Sequence, residues 1–233
     1  MKRHINTSNG KYTYTFVPVF LGFKQIDKAK AKENLILLKK ILDEHHLRFM
    51  LAYGTVLGAM REHDFITHDE DIDLIMLMKD RDRIYDLLFV LRDNGFEVIR
   101  HENRGFLSIM RNGEYIDFYF FHDYPEHPDY MLCCQDLYYK NDLEHPELID
   151  FLGTQFYVPR NPEKYLKFNY GENWRTPMQW NNYKMSPLKR KLNQLVQYFK
   201  VVIPSQLTAL LQSARDKKTL AKLYAKAQRM ANE

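Results

Sequence analysis

Cysteine is nearly missing from this chain. Its 233 residues include two, adjacent at Cys133 and Cys134. Neighbouring cysteines cannot staple distant segments together, so a disulfide scaffold is excluded and a reducing cytoplasm is the expected setting. Long apolar runs are missing too. A membrane-spanning helix needs roughly 20 apolar residues, whereas the best stretch near the start, YTFVPVFLGF, is short and interrupted by Pro18. The polar opening MKRHINTSNG argues against a secretory signal. No G-x-G-x-x-G or G-x-x-x-x-G-K-[ST] occurs, which removes a dinucleotide-binding turn and a phosphate loop. There are no repeats and no long low-complexity segments.

What is present suits a folded domain. Hydrophobic residues make up 45% of the chain and aromatics 14%, including 16 Tyr and 15 Phe, enough for one globular domain with a helical appendage. The net charge of +4 is unevenly spread: residues 187–233 hold ten Lys/Arg against two Asp/Glu, and residues 1–186 hold 24 against 28. An acidic body with a basic tail can touch an anionic surface, or the tail can be a helix with a solvated basic face. The acidic body and the absence of a reader motif speak against nucleic acid.

Periodicity predicts a helix over 26–46, a short strand from Arg48 to Gly54, a helix over 55–61 and a loop over 64–69. A central strand follows from Asp71, then a helix over 80–94 that stops at Gly95. The run FEVIRHENRGFLSIMRNGEYIDFYFF reads as three strands, the last two joined by Asn112-Gly113, a strong hairpin signal. Residues 122–150 read mostly as loop and TQFYVP as a strand; Asn161-Pro162 opens a helix with Asn as its cap, and helices broken at Pro204 close the chain. The expectation is an α+β fold: a mixed sheet flanked by helices, with a helical C-terminal region.

Chemistry concentrates in YGTVLGAMREHDFITHDEDIDLIM, residues 53–76. Strand side chains alternate faces, so Asp71 and Asp73 point the same way, about 6.6 Å apart along the strand. Two such carboxylates can converge on a hard cation, and oxygen ligands suit Mg²⁺ or Mn²⁺ better than zinc. Without a cation the pair repels and one carboxyl should titrate high. Gly54-Thr55 forms a turn at a helix start, where backbone amides can bind phosphate oxygens or serve as an ordinary cap. Asp117 is the single charge in the aromatic run from Tyr115 to Phe121. A buried carboxylate needs a partner; the metal of Asp71 and Asp73 would be one, a nearby Arg or hydroxyl another. Turn, paired acids and third acid together meet the needs of metal-assisted phosphoryl transfer. Cys133 and Cys134 with His122, His127 and His145 fit no standard zinc spacing. His63 and His68 in the polar loop are open to a general-base role or to none.

The same 24 residues resemble the core motif of the LicD/fukutin family of phosphotransferases, in the nucleotidyltransferase superfamily. YIDFYFF is similar to the family's later strand with the third acid, and YLKFNYGENWRTPM to its C-terminal segment. Asp64 and Thr67-His68 depart from the family's Gly and Pro-Trp, and DFYFFHD from its Asp-Ile-Phe-Pro-Leu-Asp. The resemblance implies a nucleotidyltransferase-like domain over residues 24–186, preceded by an extension, 1–23, and followed by the basic helical region, 187–233. It implies catalytic and metal-holding roles for Asp71, Asp73 and Asp117, with Mg²⁺ or Mn²⁺, and the proton-accepting role for Asp117. It implies substrate contacts at Gly54, Thr55, Arg61 and Asp69. Arg61 is open to a diphosphate role or to pairing with Asp69, Asp69 to an orienting role or ligation, and Glu70 is expected to face away. Trp174 is expected in the core, or with Arg175 in a pocket. The implied donor is CDP-activated and the acceptor a sugar hydroxyl of a cell-surface glycan, free or lipid-linked, with CMP released. A basic helix such as 217–230 would bring the enzyme to the inner face of the membrane. The rival readings are nucleotide transfer from an NTP with release of pyrophosphate, and a non-catalytic nucleotide- or glycan-binding protein.

Overall fold

Two strands with side chains buried on both faces along most of their length set the centre of the molecule. β4 (Ile72–Leu77) is buried throughout, and β7 (Glu114–Asp123) nearly so. They pair in parallel, Asp73 opposite Asp117 and Leu77 opposite Phe121. Parallel pairing requires cover on both faces, which is why β4 reads as an unbroken apolar run after its acids. The computed structural model describes residues 2–19, 25–177, 186, 188, 189, 191, 192, 195, 196, 199 and 205–231.

The other strands build outward from this pair. β3 (Met50–Leu51) lies antiparallel to β4, and beyond it come β11 (Thr154–Val158), parallel to β3, and β10 (Glu147–Phe151). On the other side β6 (Phe106–Arg111) pairs antiparallel with β7, and β5 (Glu97–Glu102) closes that edge. The β6–β7 hairpin turns at Asn112 and Gly113, which carry φ of 55° and 81°. Left-handed φ at both central residues is the demand that Asn-Gly meets. The sheet is mixed and helices flank it, as expected.

Helix α1 (Lys28–Glu44) is capped by Asp27, whose Oδ1 accepts from the Lys30 amide, and it buries Ala31, Leu35, Leu38, Ile41 and Leu42 against the sheet. Helix α2 (Tyr53–Arg61) starts two residues earlier than predicted, and the strand before it shrinks to Met50–Leu51. Tyr53 has a left-handed φ of 39°, held by the Tyr165 hydroxyl bonded to its amide at 3.1 Å. The helix predicted over 80–94 divides at Leu87 into α3 (Arg81–Asp86) and α4 (Leu88–Asp93).

Residues 122–150 correct the expectation of a loop. Besides the end of β7 and β10 they hold a hairpin, β8 (Tyr130–Cys133) and β9 (Asp136–Tyr139), and a short helix, α5 (Lys140–Glu144). Pro125, His127, Pro128 and Asp129 fall in the turn before β8, while Tyr130, Leu137, Tyr138 and Leu143 are buried. In α6 (Pro162–Tyr170), Asn161 takes a left-handed conformation and makes no side-chain cap bond, unlike the predicted cap.

Two terminal elements pack on this body. The hairpin of β1 (Lys2–Thr7) and β2 (Gly10–Thr15) buries Tyr12 against Phe89 and bonds through the Ser8 amide to Asp86. Helix α7 (Ser205–Ala231) buries Leu220 and Ala227, stacks Tyr224 on His127 at 3.6 Å, and pairs Asp216 with Arg104. Leu220, Leu223, Tyr224 and Ala227 are thus spent on the protein itself, while Lys217, Lys218 and Lys222 stay exposed. The predicted break at Pro204 lies outside the described residues. Among the described residues no helix is long and apolar enough to cross a membrane.

Candidate active site

Parallel register brings Asp73 and Asp117 side by side, and alternation puts Asp71 on the same face. One carboxylate oxygen from each of Asp71, Asp73 and Asp117 lies within 4.8 Å of the others. Asp71 is partly exposed at the rim; Asp73 and Asp117 are buried. The three predicted acids therefore converge, although 44 residues separate Asp73 from Asp117 in the chain.

Their surroundings hold them in place, and of the three only Asp117 is paired with a cation among the described residues. The Asp73 amide donates to the Thr55 hydroxyl at 2.9 Å, and its carbonyl accepts from Ala52. Thr55 is itself buried, so its side chain serves β4 from behind. Asp69 presses against the start of α2: a Cβ on Gly54 would lie 2.2 Å from Asp69 Oδ2. Only glycine lets that carboxylate approach so closely. No side chain caps α2. Arg61 does not pair with Asp69; it donates to the Trp174 carbonyl and pairs with Glu62. Trp174 is buried, as expected for core, with Arg175 over its ring.

Crowded carboxylates titrate high. Burial pushes Asp71 and Asp73 well above the usual range; the next contributions are the charge of Asp117 on Asp71 and of Asp71 on Asp73. Burial lifts Asp117 to about 6, against the lowering effect of Arg100. Asp69 rises to about 6 through burial, and Glu70 to about 7 through burial and the charge of Asp69.

Sequence reasoning did not find Arg100, Ser108, Tyr115, Tyr119 or Tyr170. Arg100 Nη2 donates to Asp117 Oδ2 at 2.8 Å and its Nε to Ser108 Oγ at 3.1 Å. Burial pushes up the hydroxyls of Tyr115, Tyr119 and Tyr170, and the charge of Asp71 on Tyr115 and of Asp73 on Tyr119 and Tyr170 adds to it. Among the described residues Asp117 Oδ1 and the Tyr115 hydroxyl are buried without a hydrogen-bond partner. A buried carboxylate oxygen rarely goes without a partner. An all-oxygen set with an orphaned Oδ1 fits a hard divalent cation, so Asp71, Asp73 and Asp117 could hold a metal ion. Among the described residues no other group of acids, histidines and cysteines could do so. Cys133 is buried with its Sγ on the Gly105 carbonyl, and His127 is stacked on Tyr224.

The family model described as LicD/FKTN/FKRP, nucleotidyltransferase domain, matches residues 46–161. The ribitol-5-phosphate transferase FKTN of Homo sapiens is 24% identical over 184 residues, covering 69% of this chain and 36% of that protein. An uncharacterised protein of Rickettsia typhi (strain ATCC VR-144 / Wilmington) is 24% identical over 154 residues, covering 64% of this chain and 48% of its own. The chain thus spans from about a third to half the length of the curated relatives it matches. Among solved structures, the antibiotic-resistance factor ANT(2'')-Ia aligns with a TM-score of 0.46 at 14% identity, over 86% of this chain and 99% of that one. The acids Asp71, Asp73 and Asp117 and the Gly-Thr turn all fall inside the matched span, and residues 46–161 are thus a nucleotidyltransferase domain of the LicD/FKTN/FKRP kind.

Proposed function

We propose that the protein is a metal-dependent phosphotransferase that moves a phospho-substituent (phosphocholine, a polyol phosphate or a similar group) from a CDP-activated donor to a sugar hydroxyl of a cell-surface glycan, releasing CMP. The observation that carries the reading is the convergence of three acids, one with an orphaned oxygen, inside a LicD-family domain. The fukutin relative is named as a ribitol-5-phosphate transferase, a reaction of the same kind. A divalent cation, Mg²⁺ or Mn²⁺, held by Asp71, Asp73 and Asp117 would neutralise phosphate charge and orient the donor.

The chain's own residues do the rest. Thr55 fixes the backbone of Asp73 and so the aim of the paired carboxylates. The uncapped start of α2, at Gly54 and Thr55, offers amides toward phosphate oxygens. Asp69, wedged against Gly54, orients this corner. Arg61 ties α2 to the Trp174 segment, so its part in substrate binding is to hold that helix in place. Asp117 accepts the proton of the attacking hydroxyl, and the guanidinium of Arg100 beside it favours the charged form that this needs. We place the enzyme in the cytoplasm, with contact to anionic headgroups through the exposed lysines of α7.

A donor screen tests the reading. The full chain is incubated with Mg²⁺, glycan acceptors and a panel of CDP-alcohols and NTPs, and CMP and pyrophosphate are measured. CMP release from one CDP-alcohol is expected, absent from Asp71→Asn and reduced about 10²–10⁴-fold in Asp117→Asn. Pyrophosphate release from an NTP would select nucleotide transfer instead, and turnover of none would favour a binding protein.

A further inference from the structure

Four strands deliver four polar side chains to one line across the sheet. Asp73 of β4 stands opposite Asp117 of β7, Asp117 opposite Ser108 of β6, and Ser108 opposite Arg100 of β5. Directly opposed residues project from the same face, so the line runs from the acids to a guanidinium. For Asp69, Asp71, Asp73 and Asp117, the pair Arg100–Asp117 is the only ion pair among the described residues.

The geometry of that pair is informative. An arginine serving only to neutralise a carboxylate can present two parallel N–H groups to both oxygens. Arg100 touches Asp117 Oδ2 with Nη2 alone, leaving Oδ1 orphaned. Its Nε is turned to Ser108, and the Phe106 ring lies 4.2 Å from the guanidinium carbon. Three contacts therefore fix the head, while Nη1 has no hydrogen-bond partner among the described residues and the side chain remains 25% exposed. A guanidinium held this way loses little freedom on binding a ligand. The acidic cluster by itself repels a diphosphate, and a fixed cation at its edge offsets that repulsion.

We infer that Arg100 is a phosphate-binding residue: Nη2 and Nε hold Asp117 and Ser108, and Nη1 takes phosphoryl oxygens of the donor. The inference rests on the phosphotransferase reading and adds a cation that no motif supplies. It differs from a structural role in the sign of its effects. Removing a positive charge beside the acids leaves cation binding unchanged or stronger, while it weakens diphosphate binding.

The test is calorimetric titration of the full chain and of Arg100→Gln and Arg100→Lys with Mn²⁺ alone, then with CDP, inorganic pyrophosphate and cytidine in the presence of Mn²⁺. Circular dichroism establishes that each variant is folded. Arg100→Gln is expected to bind Mn²⁺ at least as tightly as wild type, to bind CDP and pyrophosphate about 10- to 100-fold more weakly, as for loss of a charge-assisted hydrogen bond, and to leave cytidine unchanged. Arg100→Lys, which keeps the charge and loses the fork, falls between. Equal diphosphate binding by wild type and Arg100→Gln would overturn the inference while leaving the phosphotransferase reading intact. Parallel loss of Mn²⁺ and diphosphate in both variants would also overturn it, in favour of a scaffolding role. A wild-type chain that takes up Mn²⁺ and no diphosphate would remove both.

Discussion

Asp73 concentrates the conflict at the centre of this site. It is buried, it lies beside Asp71 and Asp117, and its carboxyl is pushed far up by burial and by Asp71. Asp69 and Asp117, at about 6, and Glu70, at about 7, are raised as well. A raised carboxyl means that the folded chain holds its proton more tightly than the unfolded chain does, so the stability it contributes is present below the ordinary range near 4 and is lost as pH climbs through the folded value. The metal-free protein should therefore lose stability between about pH 4 and pH 7, by up to about 1.4 kcal/mol per pH unit for each proton involved. Asp73→Asn removes one such charge. Its thermal unfolding midpoint should exceed that of wild type at pH 8, approach it at pH 5, and respond less to added Mg²⁺. Parallel pH profiles for the two proteins would contradict this account.

At the scale of elements, the hairpin, the acid-bearing strand and the start of α2 set the site. Much of this was legible. Asn112-Gly113 fixes a two-residue turn, and that turn alone puts Ser108 opposite Asp117; the residue was within reach of sequence reasoning. Arg100 was not, because a register shift between Val98 and Arg100 decides which side chains of β5 face the site. Residues 122–150 misled for a different reason: strands of four residues between turns show too little alternation to stand out. The role of Gly54 was half legible. Glycine suggested a phosphate turn, while the structure shows it making room for Asp69. Gly54→Ala should cost about 1–3 kcal/mol by overpacking, measured by urea denaturation. The same change in an Asp69→Ala background should cost less, since the colliding carboxylate is gone. Additive losses would show that the two residues do not meet.

For the whole molecule, the question is what the basic C-terminal region does. Leu220 and Ala227 of α7 are buried against the body, while Lys217, Lys218 and Lys222 stay exposed and available to a surface. Changing Lys217, Lys218 and Lys222 to Glu should leave unfolding within about 0.5 kcal/mol of wild type and abolish salt-sensitive co-sedimentation with anionic vesicles. Deleting residues 205–233 should destabilise the protein, since burying Leu220 alone contributes about 1.5–3 kcal/mol. Vesicle binding unchanged in the triple variant would remove α7 as the contact. All of this hangs on a domain whose three acids hold a metal, and anomalous diffraction from crystals soaked in Mn²⁺ examines that claim directly. The account predicts one or two peaks about 2.1 Å from oxygens of Asp71, Asp73 and Asp117, with Asp117 Oδ1 among them. A peak bound elsewhere, or no peak at a concentration that supports turnover, would contradict it.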